Sequence, residues 1–367
     1  MSKQTPLYEE HVALKARMME FAGYVMPIFY EGIRQEHLSV RQKVGVFDVS
    51  HMGEIRILGD QSLSFLEWIT TNSVTRLQSG QAQYTLLLNH HGGVIDDAYL
   101  YCLERGKDYL LCVNASNSDK VESWLRQNQP TSGVDLISET HFWAQIAVQG
   151  PRAPQVISEV LQYDVSGLSK NRLIRGIFRG VPFIFATSGY TGERGGEIFI
   201  ESGGASALWK ALLSHPLKPT PCGLGARDSL RIEMGYPLYG NELSEEYSPW
   251  EAGLSWVVKL QEKDFIGKEA LLRRYQGGDR NLTTQLIGFM VEGKAIARTG
   301  YSILNSQKEM IGRVTSGTLS PSLEKSIGLG FVAPPWTSVD SQILIKIRDH
   351  LVEARVVSLP FYQPKKE

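Results

Sequence analysis

Apolar positions along the chain change period several times, and each change marks an element. Ile33, His37, Val40 and Val44 fall at helical spacing, with Gly45 placed to cap a helix C-terminus. EIRILG then alternates as a strand does. From 53 to 137 the periods mix. LSFLEWIT reads as helix, and QYTLLLN, IDDAYLYCL and DYLLCVN read as strands. SNSDKVESWLRQ opens on capping residues and stacks Val121, Trp124 and Leu125 on one helical face. That order predicts a compact α+β domain of ferredoxin-like type, and QNQPTSG is the best linker by composition. From 138 to 275, strands such as FWAQIAVQG and VPFIFATSG alternate with helices such as ASALWKALLSH. After YQGGDRNLTT (275–284) the chain turns to short strands broken by Gly, Asn and Pro, which predicts a small β-barrel or sandwich over 276–367.

At 367 residues the chain suits two or three domains rather than one core. Hydrophobic content of 42% and charged content of 21% are those of a soluble globular protein. A net charge of −1 gives no reason to expect nucleic acid or an anionic membrane surface as partner. No apolar run approaches the ~18 residues of a membrane span, and the N-terminal stretch has no apolar signal core. Three cysteines without a CxxC argue against a disulfide scaffold or zinc site and fit a reducing cytoplasm.

Within this frame a few stretches could carry chemistry. Asp96 and Asp97 sit side by side in GGVIDDAYLY, so on an extended chain one carboxylate faces away from the other. An inward carboxylate has a costly charge to satisfy. SGYTGERGGE (188–197) is neither a Walker motif nor a GxGxxG opening a long helix. Its glycines read as turn positions that let backbone approach something flat, and Glu197 leads into the strand EIFI. A helix from near Leu224 to Gly235 places Arg227 and Arg231 one turn apart, either to hold carboxylates or to pair with Asp228 and Glu233 at the surface. Asp48, Ser50 and His51 are too close in sequence to build a hydrolase triad, so His51 reads as a satisfied junction histidine. Cys222 reads as a small buried residue. Tyr84, Tyr99, Tyr101, Tyr190 and Tyr236 flank these stretches and would suit a cleft for a planar heterocycle. Taken alone, the residues end at a multi-domain enzyme or binder with an acidic and an arginine-bearing site.

Taken in order, the strings VGVFDVSHMGE, GGVIDDAYLY, VNASN, VQGP, SGYTGERGGE, CGLGARDSLRIEMGYPLYG, GLSWVVK, FIGKEAL, GRVTSGTLSPSLEKSIGLGFV and the late PFY resemble the T-protein family of the glycine cleavage system. The resemblance spans essentially the whole chain. It implies an α+β fold of three domains around a central cleft: 1–52 with 138–275 binding folate, 53–137 ferredoxin-like, and 276–367 a barrel. It implies an aminomethyltransferase that moves a methylene group from the aminomethyl-dihydrolipoyl arm of a lipoylated H-protein to tetrahydrofolate, with no metal. By the same resemblance Asp97 is catalytic, stabilising positive charge on the methylene and taking up a proton, while Asp96 is its structural neighbour. Glu197 meets the pterin N–H and amino group, Arg227 holds the folate, and Tyr84, Asn114, Tyr190 and Tyr362 line the site. A folate-dependent demethylase on the same fold and a non-catalytic folate-binding paralogue are the alternatives. The chain departs from the family's usual RTGYTGEDGFE at Thr187, Arg194 and Gly196, and 168–175 lacks an aromatic the family often has, which bears on how the folate is positioned.

Overall fold

The computed structural model describes residues 2–275 and 282–364. Its elements begin with α1 (Tyr8–Ala13), β1 (Arg17–Phe21), β2 (Tyr24–Phe29), α2 (Ile33–Gln42), β3 (Gly45–Asp48), β4 (Gly53–Leu58), α3 (Ser62–Ile69), β5 (Gln81–Leu88), β6 (Val94–Glu104) and β7 (Asp108–Val113). They continue with α4 (Ser118–Gln127), β8 (Asp135–Ser138), β9 (Trp143–Gln149), α5 (Ala153–Leu161), β10 (Leu173–Phe178), β11 (Val181–Ala186), β12 (Gly195–Glu201), α6 (Ala205–Leu213), β13 (Thr220–Cys222) and α7 (Leu224–Glu233). The last are α8 (Lys268–Arg274), β14 (Gln285–Val291), β15 (Ser302–Leu304), β16 (Met310–Leu319), β17 (Ser326–Val332), β18 (Gln342–Ile347) and β19 (His350–Val357). No helix among the described residues is long and apolar enough to cross a membrane.

Besides the β1–β2 hairpin, three strand systems form. Six strands lie in the order β10-β11-β12-β9-β3-β13, antiparallel except for the β3–β13 pair. Five lie in the order β5-β6-β7-β4-β8. Without the edge strand β5, the succession β4-α3-β6-β7-α4-β8 is the ferredoxin-like βαββαβ unit that the mixed periods predict. Six more close a barrel, β14-β17-β16-β15-β18-β19, each strand arising from one of the short apolar strings after residue 284. The class is α+β with a C-terminal barrel.

Two expectations need correcting. QNQPTSG separates no domains: it joins α4 to β8, and β8 adds to the edge of β4 in the same sheet. Polar and Gly-rich composition marks a turn, not its rank. Gly45 is not a helix cap but the first residue of β3. A Cβ there would lie 2.3 Å from Val40 Cγ2 and 2.9 Å from Cys222 Sγ, so close packing of α2 and β13 requires glycine. YQGGDRNLTT, the other boundary candidate, lies mostly outside the described residues.

The chain packs as two compact units. The first is Met1–Thr85 with Ala98–Arg227, and the second is Leu86–Asp97 with Asp228–Glu367. In the first, one face of the six-stranded sheet packs beneath α5 and α6, with Ile146, Val148, Val156, Ile157, Leu208 and Trp209 in one core. The opposite face carries Trp143, Ile184 and Phe199 against Tyr101, Leu110 and Cys112 of the five-stranded sheet. The second unit has its own core inside the barrel, around Phe289, Val314, Ile345 and Val356.

Candidate active site

Glu197 points from β12 into the layer between the two sheets of the first unit and is 7% exposed. Ser188 Oγ donates to its Oε2 at 2.5 Å, and the Tyr101 hydroxyl, 3.2 Å from Ser188 Oγ, reaches the same oxygen at 3.5 Å. Burial and the Glu197 carboxylate hold the Tyr101 phenol well above its usual range, so it remains a neutral donor. Oε1 receives no hydrogen bond among the described residues and is the oxygen available to a ligand.

The loop between β11 and β12 is held from both sides. Arg41 Nη1 donates to the Thr191 carbonyl and to Glu193 Oε1, both at 2.7 Å, while Gln149 bonds Thr191 Oγ1 at 2.8 Å. Two of the glycines here press against the protein itself. A Cβ on Gly189 would lie 2.3 Å from Gln149 Oε1, and one on Gly196 2.2 Å from the Ala186 carbonyl. With no side chain at 196, β12 lies close against β11 at this point. Arg194 is exposed, and Thr187 binds the backbone of Arg172 and Ser169.

Aromatic rings lead away from Glu197. Tyr101 contacts Tyr99 at 5.8 Å between ring centroids, Tyr99 contacts Tyr84 at 6.0 Å, and Phe199 closes on Tyr101 at 5.2 Å. Tyr99 donates its hydroxyl to Asn171 Oδ1 at 2.9 Å. Arg227 on α7 sets its guanidinium 5.0 Å from the Tyr190 ring centre, a cation–π distance. Asn114 follows β7 and is half-buried. Glu197, Arg227, Tyr190, Tyr84 and Asn114 thus belong to the first unit. Asp97 and Tyr362 belong to the second. There Asp97 is half-buried near the start of β6, and the Tyr362 backbone N–H binds the Glu233 carbonyl at 3.1 Å.

Other singled-out residues are structural. Asp48 accepts from Thr5 Oγ1 (2.7 Å) and the Ser50 amide (2.9 Å) and pairs with His11 Nε2 (2.8 Å), whose Nδ1 meets the Tyr30 hydroxyl. This network pins the N-terminal segment. Burial pushes the Cys222 thiol far up, which leaves it inert. Arg231 is buried against Glu242 and also meets the exposed Asp228, while Glu233 binds Ser320 and Ser322, so of the expected surface ladder only the Asp228 pair forms. Two features escape the sequence. His51 is not satisfied, since its buried Nδ1 has no partner among the described residues. Glu54, 1% exposed, likewise leaves both carboxyl oxygens without a partner among them.

Comparison with known proteins places this arrangement. A family model described as the GCVT N-terminal domain matches residues 7–262, and one described as the glycine cleavage T-protein C-terminal barrel domain matches 284–363. The chain belongs to the glycine cleavage T-protein family. Aminomethyltransferases of Bdellovibrio bacteriovorus and Chloroherpeton thalassium are 45% and 43% identical to it, covering 98% of this chain and 99% and 98% of theirs. The crystal structure of glycine cleavage system aminomethyltransferase T from Bartonella henselae superposes with a TM-score of 0.93 at 30% identity, covering 100% of this chain and 99% of that one. Family membership carries an aminomethyltransferase function in glycine cleavage, and none of these findings favours the demethylase or the non-catalytic paralogue.

Proposed function

We propose that this chain takes the methylene group of an aminomethyl-dihydrolipoyl arm, carried on lipoylated H-protein, and transfers it to tetrahydrofolate in the cytoplasm. Ammonia, 5,10-methylenetetrahydrofolate and the dihydrolipoyl carrier leave. Tetrahydrofolate, as one-carbon acceptor, supplies two nucleophilic nitrogens. The observation that carries the reading is Glu197: a buried carboxylate with one oxygen held by two hydroxyls and the other open suits adjacent N–H donors such as a pterin presents. Arg227, already oriented by Tyr190, offers a guanidinium to the folate. Tyr84, Asn114 and Tyr190, all of the first unit, supply walls, and Tyr362 of the second is assigned to the folate by the family resemblance. Asp97 provides a fixed carboxylate that stabilises positive charge on the methylene and accepts a proton. The division into 1–52 with 138–275, 53–137 and 276–367 remains our proposal for the domains, supported by the separation of the six-stranded sheet, five-stranded sheet and barrel.

The test is tetrahydrofolate affinity by calorimetry. Glu197→Gln turns an acceptor into an amide donor facing donors, and the lost charge-assisted bond should weaken binding by about 1.5–3 kcal/mol. Unchanged affinity would remove Glu197 from the site.

A further inference from the structure

One side chain ties down the loop that carries the donor to Glu197. Gln149 ends β9, between β12 and β3, opposite Gly195 and Gly45. Its Nε2 donates to the carbonyls of Ser188 (3.3 Å) and Gly196 (3.4 Å), while Thr191 Oγ1 donates to its Oε1 (2.8 Å). The partners fix the direction of the amide, because carbonyl oxygens only accept and need the nitrogen. Gln149 is buried, and the absent side chain at Gly189 is what lets the loop close onto it. Ser188, held at its carbonyl by this amide, aims its hydroxyl at Glu197 Oε2. The start of the loop at Ser188 and the strand just past its end at Gly196 therefore hang on the same amide.

We propose that Gln149 is a positioning residue for ligand recognition, acting through Ser188 to fix which oxygen of Glu197 is held and which is presented. The proposal rests on the reading of Glu197 as the pterin-binding carboxylate. A glutamine that only stabilised the fold would alter melting temperature without coupling to Ser188 in ligand affinity.

The experiment is a double-mutant cycle on the full chain, with tetrahydrofolate affinity by calorimetry and melting temperature measured on the same preparations. Gln149→Glu and Ser188→Ala are each expected to raise Kd about tenfold, the loss of one hydrogen bond to a charged or buried partner. Their combination should be weaker than the worse single variant by no more than about twofold, since both break one route. Gln149→Met, of similar length, repeats the cycle should the charged variant not fold. Multiplicative losses, or a lower melting temperature with unchanged Kd, overturn the positioning role. Glu197→Gln in parallel separates the two ideas. If it leaves Kd unchanged, the pterin reading fails; if it weakens binding while the Gln149 variants do not, only the positioning role fails.

Discussion

Asp96 and Asp97 are adjacent in sequence, but β6 gives them different surroundings. Asp96 is 0% exposed, whereas Asp97 is half-buried, as alternation on an extended strand demands. Asp97→Asn keeps shape and loses charge and basicity, so single-turnover ammonia release from loaded H-protein should fall about 10²–10⁴-fold, with folate affinity changed only a few fold. Asp96→Asn should instead lower the melting temperature. Near-normal turnover in both variants would make the pair structural, and loss in Asp96→Asn alone would reverse the roles. Alternation was legible in the sequence, but not which aspartate is enclosed. Val94, Ile95, Ala98 and Leu100 are buried on both sides of the strand, so the apolar pattern does not distinguish one face from the other. Ser188 escaped for a different reason: it meets Glu197 only because a turn folds nine residues back on themselves.

Helix α7 shows the same limit at the scale of an element. Its spacing puts Arg227 and Arg231 one turn apart, yet Arg227 stays half-buried beside Tyr190 while Arg231 is sealed in. Arg231 pairs with Glu242 at 3.0 Å and Asp228 at 2.8 Å and donates to Ser316 Oγ at 2.8 Å, and Ser316 in turn donates to Glu242 Oε1 at 2.6 Å. Ser316 comes from β16, so no reading of the helix alone could have found it. Arg231→Met should cost about 3–5 kcal/mol in urea denaturation, because Glu242 is left charged and buried. Adding Glu242→Met should recover most of that loss. A single-variant cost below ~1 kcal/mol would show that the pair contributes little. The barrel, by contrast, was legible strand by strand, since turn residues punctuate each of its strings and neighbouring strands supply every partner.

For the molecule as a whole, buried groups of one short string contribute opposing slopes to how stability answers to pH. Burial pushes His51 down to about 4, with the Arg227 charge adding and Asp48 opposing. The folded ring stays neutral while the unfolded one titrates near 6.5, so stability is lost as pH falls from 6.5 to 4, by about 3 kcal/mol in total. Glu54 has the opposite sign. Burial, then the charges of Glu139 and Glu197, raise it well above 4.5, so the folded carboxyl keeps a proton that the unfolded chain releases, and stability is lost as pH rises. Burial raises Asp48 too, but the His11 hydrogen bond and charge and the bonds from Ser50 and Thr5 leave it lowered, so its contribution is present above 3.8 and lost only below. DVSHMGE displays all three groups, but their surroundings come from elsewhere in the chain: Thr5 and His11 at Asp48, the rings of Phe21 and Tyr24 at His51, and the charges of Glu139 and Glu197 near Glu54. Between pH 4.5 and 6.5 the His51 and Glu54 slopes oppose each other. Glu54→Gln, neutral at every pH, removes one of them. The variant should be more stable than its parent at pH 7 and should lose stability steadily from pH 6.5 to 4.5. Urea denaturation at several pH values, with amide exchange in β4 and β9 reporting on the first unit, reads both effects. A flat profile in the variant would mean that burial of His51 does not carry the remaining slope, and a variant less stable than its parent at pH 7 would mean that Glu54 finds a partner in solution and that its burial is not the source of the opposing slope.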